Sequence, residues 1–195
     1  MRGSGKVYQF KITLRYIEPP IWRRIQVPGT YTFWDLHVAI QDAMGWEDYH
    51  LHEFVMRHPK MGGVWRICTP FEEDLLTADV RHEREERIAD WFTEDNRRAL
   101  YRYDFGDSWE HWVELEEILP EEAGIDYPRC VGGARACPPE DCGGVGGYEA
   151  IVSGKSEFME HYRDYDPERF DPKKVEFDDP EFRWRLAWEF LGDVE

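Results

Sequence analysis

Apolar and polar residues alternate along Val7 to Tyr16, the first patterned stretch of the chain. The apolar residues fall on one face of an extended chain: Tyr8, Phe10, Ile12, Leu14 and Tyr16. This period of two is typical of a half-buried β-strand. Pro19-Pro20 interrupts the alternation and Ile21 to Val27 resumes it, which predicts a second strand paired with the first.

After Pro28-Gly29 the period changes to that of an α-helix. Thr32 and Asp35 have the spacing of a capping box, and Gly45 stands at the expected C-cap. The pattern predicts a β-β-α unit in which the apolar face of the first strand packs on the helix. The expected contacts join Tyr8, Phe10, Ile12 and Leu14 on the strand to Phe33, Leu36 and Ile40 on the helix.

Further strands are predicted over residues 50–56, 64–68, 100–105 and 109–118, the last two as a hairpin around Gly106-Asp107. A two-residue turn would place Tyr101 opposite Trp112 and Tyr103 opposite Glu110. A longer turn would shift that register.

Helices are predicted in the charged segment 72–98, from Tyr148 to Val152 and from Phe158 to Tyr162. A last helix is predicted after Asp179-Pro180, because Asp179 is a typical N-cap and Pro180 a typical first-turn residue. The apolar residues of the last helix spread around most of its surface: Phe182, Trp184, Leu186, Trp188, Phe190 and Leu191. Such a helix is expected to be buried or to lie at an interface.

The stretch from Tyr127 to Tyr148, YPRCVGGARACPPEDCGGVGGY, predicts a long Gly/Cys-rich loop, because its glycines and prolines exclude a helix or an interior strand. Together the elements predict one α+β domain over residues 1–195. Its mixed or antiparallel sheet starts with the β-β-α unit, and helices cover one face. Residues 1–6 are expected to be flexible, and residues 148–195 to form a helical C-terminal part.

Of the 195 residues 42% are apolar and 15% aromatic, which predicts a folded domain with a sizeable core. The net charge of −17 repels nucleic acid. The basic clusters are short and are expected to be solvated and ion-paired: Arg23-Arg24, Arg84 to Arg87, and Arg97-Arg98. No apolar run approaches the roughly 20 residues of a membrane span, and the first residues lack a hydrophobic signal segment. We therefore expect a cytoplasmic protein with reduced thiols.

Four ordered motifs resemble one known family: IEPPIWRRIQVP, FWDLHVAIQDAMGWEDYHLHEF, YRYDFGDSWEHWVELE and the Gly/Cys-rich loop. From about Val7 to its end the chain is similar to the plasmid pRiA4b third-open-reading-frame family, also described as insertion-element passenger proteins. The resemblance implies an α+β domain, a helix-covered sheet, and an association with plasmids and mobile elements. It implies no mechanism, since members have been called resolvases without an established activity. This chain shows neither a serine-nucleophile motif nor a basic helix-turn-helix.

Cys130, Cys137 and Cys142 are candidate zinc ligands, with His52 or His111 as the source of a fourth ligand. Their spacing is wider than the tight cysteine pairs that zinc sites use. We therefore expect packing and hydrogen bonds to hold the loop, and we predict no cofactor. A structural zinc ion is the alternative.

A second candidate cluster consists of His50, His52, Asp104, Asp107 and His111. Alternation places the first two histidines on one strand face, a spacing that two-histidine metal sites use. A hydrolytic metal there would leave Asp104, Asp107 and His111 as candidate catalytic residues. In the structural alternative the aspartates bond turn amides and the histidines are ordinary strand residues.

Candidate binding residues surround the Gly/Cys-rich loop: Trp109, Tyr127, Glu140, Asp141, Gly143, Gly144 and Tyr148. The glycines precede a helix whose amides could hold an anion. Glu140 and Asp141 would instead favour a cation or an amine, and in the structural alternative the glycines only permit close packing. We predict a domain that binds a small molecule or a protein. The alternatives are a metal-dependent hydrolase and DNA recombination, which the net charge disfavours.

Overall fold

The computed structural model describes residues 5–71, 74 and 77–192, with side chains up to residue 187. Its elements, in chain order, are β1 (Lys6–Leu14), β2 (Trp22–Pro28), α1 (Phe33–Met44), β3 (His52–Arg57), β4 (Val64–Cys68), β5 (Val80–His82), α2 (Ile88–Trp91), β6 (Arg98–Tyr103), β7 (Trp109–Pro120), β8 (Arg129–Ala134), α3 (Gly144–Val152) and α4 (Pro180–Gly192). The fold is α+β. Within the described residues, eight strands form one mixed sheet in the order β5-β4-β3-β6-β7-β1-β2-β8. Only β4 and β5 pair in parallel.

The β-β-α unit forms as predicted. β1 and β2 pair antiparallel, with Phe10 opposite Ile25. The predicted strand and helix residues lie in one buried core cluster: Tyr8, Phe10, Ile12, Leu14, Phe33, Leu36 and Ile40. Thr32 and Asp35 form the capping box, and Gly45 closes α1 in the left-handed conformation. Tyr16 departs from the prediction and is 65% exposed, because β1 ends at Leu14 and the chain turns there.

The two faces of the sheet differ in character. Phe10, Ile25 and Val113 share the face that is buried in the core. The opposite face carries ion pairs between strands. Arg98–Glu114 at 2.5 Å and Arg102–Glu53 at 2.7 Å join neighbouring strands, and Arg24–Glu116 at 2.6 Å reaches across β1 from β2 to β7. No helix in the described part of the chain is long and apolar enough to cross a membrane.

Several predicted elements have different bounds. The β6–β7 connection spans residues 104–108, so Tyr103 lies opposite Trp109 and Tyr101 opposite His111; the register expected for a two-residue turn is wrong. Residues 158–162 form turns rather than a helix. In the segment 72–98, α2 and β5 form, while residues 72–73 and 75–76 lie outside the described ones. Residues 1–4 and 193–195 also lie outside them, and Lys6 is already paired in β1.

The Gly/Cys-rich stretch is not one continuous loop. Residues 129–134 form β8, which glycine tolerates because the strand lies at the edge of the sheet. The glycine run opens α3 four residues earlier than expected, at Gly144 instead of Tyr148. Only residues 135–143 between these elements lack regular structure.

Arg23 also departs from the expectation of a solvated basic cluster. Its side chain is buried, and its Nε donates to the carbonyl of Ala43 at 2.8 Å. Its guanidinium lies 3.6 Å from the ring centroid of Phe170. A planar cation can be buried here because backbone carbonyls and an aromatic face replace water.

The last helix begins where predicted, and the Asp179 carboxylate accepts a hydrogen bond from the Glu181 amide at 2.9 Å. Among the described side chains its apolar surface is only partly covered; a position at an interface was the other expected outcome. Trp184 packs edge-on against Trp34 of α1, with ring centroids 5.0 Å apart, whereas Phe182 and Leu186 are exposed. The side chains of Trp188, Phe190 and Leu191 lie outside the described ones.

Candidate functional site

A pocket of about 460 Å³ opens beside the strands β3 and β4, the segment that follows α1, and helix α4. Its lining is mainly aromatic and aliphatic, with a few polar side chains: Trp34, Asp48, Tyr49, His50, Leu51, His52, Arg66, Cys68, Thr69, Phe71, Asp74, Phe105, Trp184 and Ala187. A concave, mostly apolar pocket with a few polar groups is the usual form of a small-molecule site.

Local structure explains why these side chains meet. His52 pairs with Tyr103 across β3 and β6, and the Asp104 amide donates to the Leu51 carbonyl at 2.9 Å. The start of β3 therefore lies beside the loop after β6, which brings Phe105 to the pocket. On the other side, the Trp34 indole donates to the Pro180 carbonyl at 2.8 Å and so fixes the start of α4.

Two histidines are stacked beside the pocket: His52 lines it, and His37 is fully buried. The rings of His37 and His52 are parallel within 3°, with centroids 3.3 Å apart. His37 Nε2 lies 2.8 Å from Asp48 Oδ1, and His52 Nε2 lies 2.5 Å from Glu83 Oε2. Because imidazole lone pairs lie in the ring plane, parallel stacked rings do not direct their nitrogens at one ion. The arrangement is therefore two histidine–carboxylate pairs.

The two histidines differ in their electrostatics. Burial lowers the pKa of His37, and the attraction of Asp48 only partly opposes it. Burial also disfavours the charged form of His52, but Glu83 outweighs it and raises the pKa of His52. Burial by itself would raise the pKa of Glu83, but the attraction of His52 outweighs burial, and the pKa of Glu83 is lowered. Of the two stacked rings, His52 next to the Glu83 carboxylate is thus the one whose charged form is favoured.

A second cluster brings together His50, Asp104 and Asp141 at the edge of the pocket. His50 Nε2 lies 2.9 Å from Asp141 Oδ1 and 3.7 Å from Asp104 Oδ2. All three ligand atoms lie within 4.8 Å of one another. The contact with Asp141 is poorly aligned for hydrogen bonding, so the buried Nε2 has no hydrogen-bond partner among the described residues. His50 and Asp104 belong to the histidine–aspartate cluster predicted from the sequence, and Asp141 belongs to the predicted binding residues around the Gly/Cys-rich loop.

Other members of the predicted histidine–aspartate cluster lie elsewhere. His111 is fully buried in the core against Tyr101 and Trp46. The Asp107 carboxylate accepts a hydrogen bond from the Gly143 amide at 3.0 Å, at the start of α3. The Gly143 amide, at the helix start considered as an anion site, thus binds the carboxylate of Asp107. Gly144 is required at this point, because its φ is +67° and a Cβ would lie 2.5 Å from the Asp107 carbonyl oxygen.

The cysteines are spread over several environments. Cys130 lies on the edge strand β8, Cys137 has its sulfur 3.5 Å from that of Met44, and Cys142 precedes α3. Burial raises the pKa of Cys137 and of Cys142 to about 12, and it also raises the pKa of Cys130. In the part of the chain that the structure describes, they do not form a three-ligand metal cluster. Burial thus favours the neutral thiol over the thiolate at these positions.

Hydrogen bonds tie residues 135–143 to the body of the protein. The Trp46 indole donates to the Pro138 carbonyl at 2.9 Å, and the Glu140 carboxylate accepts from the Glu47 amide at 2.7 Å and from the Tyr103 hydroxyl. The Tyr165 hydroxyl donates to the Cys137 carbonyl at 3.0 Å. These are restraints of the kind expected from the sequence, and they fix Asp141 beside His50.

The remaining candidate binding residues do not line the pocket. Trp109 and Tyr148 are buried in the core, and Tyr127 lies before β8 under the guanidinium of Arg129. Most pocket residues are not predicted as a site from the sequence: Asp48, Tyr49, Leu51, Arg66, Cys68, Thr69, Phe71, Asp74, Phe105, Trp184 and Ala187. The exposed aromatic side chains among them carry no local sequence signal, because alternation cannot distinguish a pocket rim from a strand end.

The family model described as plasmid pRiA4b ORF-3-like protein matches residues 6–179. The uncharacterized protein y4hQ of Sinorhizobium fredii (strain NBRC 101917 / NGR234) is 34% identical over 145 residues, which cover 74% of this chain and 71% of the relative. The crystal structure of MM3350, a protein of unknown function from Methanosarcina mazei Go1, aligns with a TM-score of 0.80 and 48% identity, over 89% of this chain and 99% of that chain.

Proposed function

The chain belongs to the plasmid pRiA4b ORF-3-like family, whose relatives described above have no established function, and from its pocket we propose that it is a small-molecule-binding domain. The observation that carries this proposal is the pocket of about 460 Å³ with its aromatic lining. That volume suits a ligand of one or two rings, and Trp34, Phe105 and Trp184 offer faces and edges for ring packing.

The polar groups indicate how such a ligand would be oriented. Arg66 lines the pocket but is already paired with Glu53 at 2.6 Å and Asp74 at 2.7 Å. His50 and His52 also line it, and His52 is held by Glu83. Because the strongest charges are neutralised by protein partners, we propose an uncharged or weakly polar ring system as the ligand class.

The helical layer is part of the proposal. A pocket bounded by Trp34 of α1 and Trp184 of α4 needs both helices on the same side of the sheet as His52. We propose that the helices cover this one face, as the sequence suggested, and that α4 acts as one wall of the site. The metal-dependent hydrolase expected as an alternative is less well supported, because His111 and Asp107 lie away from the pocket.

Indole, an uncharged two-ring aromatic molecule, is a suitable probe for NMR titration. We expect its addition to shift the amide signals of Leu51, His52 and Phe105. Phe105→Ala should weaken indole binding roughly fivefold, because one ring contact is worth about 1 kcal/mol. The matched control is Phe158→Ala, which removes an exposed aromatic ring outside the pocket. Unshifted pocket amides, or equal effects of the two variants, would contradict the proposal.

A further inference from the structure

The cluster of His50, Asp104 and Asp141 has the composition and spacing of a metal site. The three residues come from three separate segments: the residues just before β3, the β6–β7 connection and the segment before α3. One imidazole nitrogen and two carboxylate oxygens converge within 4.8 Å. In a coordination sphere with metal–ligand distances near 2.1 Å, neighbouring ligand atoms are about 3.0–3.4 Å apart. The separations of 2.9 and 3.7 Å from His50 Nε2 are close to this range.

The ligand atoms are held in place by groups outside the cluster. Asp104 Oδ1 accepts hydrogen bonds from the amides of Gly106 at 2.9 Å and Asp107 at 3.2 Å, which leaves Oδ2 directed towards His50. The bond from the Gly143 amide to Asp107 joins the connection carrying Asp104 to the segment carrying Asp141. Such outer contacts orient ligands in metal sites.

One atom of the cluster is without a partner. The His50 Nε2 is buried and has no aligned hydrogen-bond partner in the described part of the chain, although two carboxylates lie within 4.8 Å of it. Buried polar nitrogens are nearly always partnered, so this nitrogen points to a missing ligand. A divalent ion would accept its lone pair and compensate both carboxylates.

We propose that His50, Asp104 and Asp141 bind a first-row divalent cation of the zinc or manganese class. Mixed imidazole and carboxylate ligands suit these ions, whereas the absence of a thiolate disfavours copper(I). Three protein ligands leave coordination positions open for water or for an added ligand. The site is distinct from the Gly/Cys-rich zinc site considered from the sequence, and it does not depend on the ring-binding role of the pocket.

Cobalt(II) is the appropriate probe, because its visible spectrum reports the ligands. We expect the protein, purified without added chelator and then titrated with Co²⁺, to bind about one equivalent per chain without a thiolate charge-transfer band. His50→Ala and Asp141→Asn should each weaken binding at least about tenfold, a loss comparable to that from removing even an outer-sphere partner. His161→Ala, which removes an exposed histidine outside the cluster, should leave it unchanged.

The variants are chosen so that loss of fold cannot imitate loss of the site. Asp141 has a 69% exposed side chain, so its change to asparagine alters charge with little effect on packing. Asp104→Asn keeps an oxygen for the Gly106 and Asp107 amides and should also weaken binding. Unchanged circular dichroism is required of each variant. The proposal is overturned by absence of Co²⁺ binding, by a thiolate band, or by affinity that none of the three variants reduces.

Discussion

At the scale of single residues, His111 is the side chain with the least favourable environment. Its ring is fully buried between Trp46 and Tyr101, and neither ring nitrogen has a hydrogen-bond partner among the described residues. Burial lowers the pKa of His111 to about 3, and the backbone of Tyr101 opposes this shift. The folded protein therefore keeps His111 neutral at pH values at which the unfolded chain protonates it.

This difference predicts a pH-dependent stability. Below the ordinary histidine pKa of about 6.5 the unfolded state binds a proton that the folded state does not, so His111 destabilises the fold as the pH falls. At pH 4.5 the loss relative to pH 7.5 is about 2–3 kcal/mol from this residue alone. His111→Leu should remove that loss. Urea denaturation of both proteins at the two pH values measures it.

The comparison isolates one residue because the other titrating groups are common to both proteins. His161→Leu, at an exposed position, serves as a control for the loss of a histidine in general. If the free energies of unfolding of wild type and His111→Leu change in parallel with pH, the buried ring does not have the protonation behaviour described.

At the scale of elements, docking of α4 onto α1 forms one wall of the pocket. Arg183 of α4 contacts Asp42 of α1 at 2.6 Å and Asp178 at 2.5 Å, and the Asp42 side chain is almost fully buried. The Trp34 indole bonds to Pro180 at the same junction. Phe182 and Leu186 of this helix are exposed. Among the described side chains, α4 is attached by Arg183, by the contact of Trp184 with Trp34, and by the Glu181–Arg84 ion pair.

Arg183→Gln should therefore loosen α4. The change leaves the Asp42 carboxylate buried without its cation, which we expect to cost about 2 kcal/mol or more. Amide hydrogen exchange along residues 180–187 should rise and indole binding should weaken. The control is Arg185→Gln, since Arg185 is 63% exposed and lies 3.8 Å from Glu181. Such a pair contributes about 0.5 kcal/mol or less, so comparable losses in both variants would argue against Arg183 as the attachment point.

At the scale of the whole molecule, the negative charge is not offset by a basic surface. The net charge is −17, and the basic residues that might have formed a nucleic-acid-binding patch have other partners. Arg23 is buried under Phe170, Arg98 pairs with Glu114, and Arg84 pairs with Glu181. The last two guanidinium groups each have a carboxylate beside them, which reduces the positive charge available to a phosphate backbone.

We accordingly predict no appreciable binding to duplex DNA at physiological salt. Fluorescence anisotropy of a labelled duplex, measured at low and at physiological salt, is the appropriate measurement. We expect no rise in anisotropy at micromolar protein. A salt-sensitive rise in that range would revive the recombination role that has been associated with the family.

Much of the fold was predictable because its signals are local. The alternation of β1, the capping box of α1 and the Asp179-Pro180 start of α4 each depend on a few consecutive residues. The hairpin register was not predictable in the same way. In the loop over residues 104–108, the Asp104 carboxylate accepts hydrogen bonds from two amides, and Asp104 and Ser108 have positive φ angles. Many sequences are compatible with such a loop, so the residue types alone do not give its length.

The sequence predicted the residues of the candidate site but not how they come together. His50, Asp104 and Asp141 were each singled out, but as members of two different groups, and His111 and the cysteines were placed with them on spacing alone. Nothing local distinguishes His50, which reaches Asp141, from His111, which is enclosed in the core. The difference depends on strand pairing. The β3–β6 pairing sets the position of His50, and the β6–β7 pairing sets that of His111.

The sequence by itself determined the β-β-α start, the helix caps, the acidic character and the family. Periodicity and capping depend on residues that are close together in the chain, and composition does not depend on the fold at all, so these signals can be read without the tertiary structure. Tertiary structure alone decided the stacking of His37 on His52, the pocket against Trp184, and the meeting of His50 with Asp141. These contacts join residues far apart in the chain, and their formation is governed by the packing of the whole core rather than by any segment.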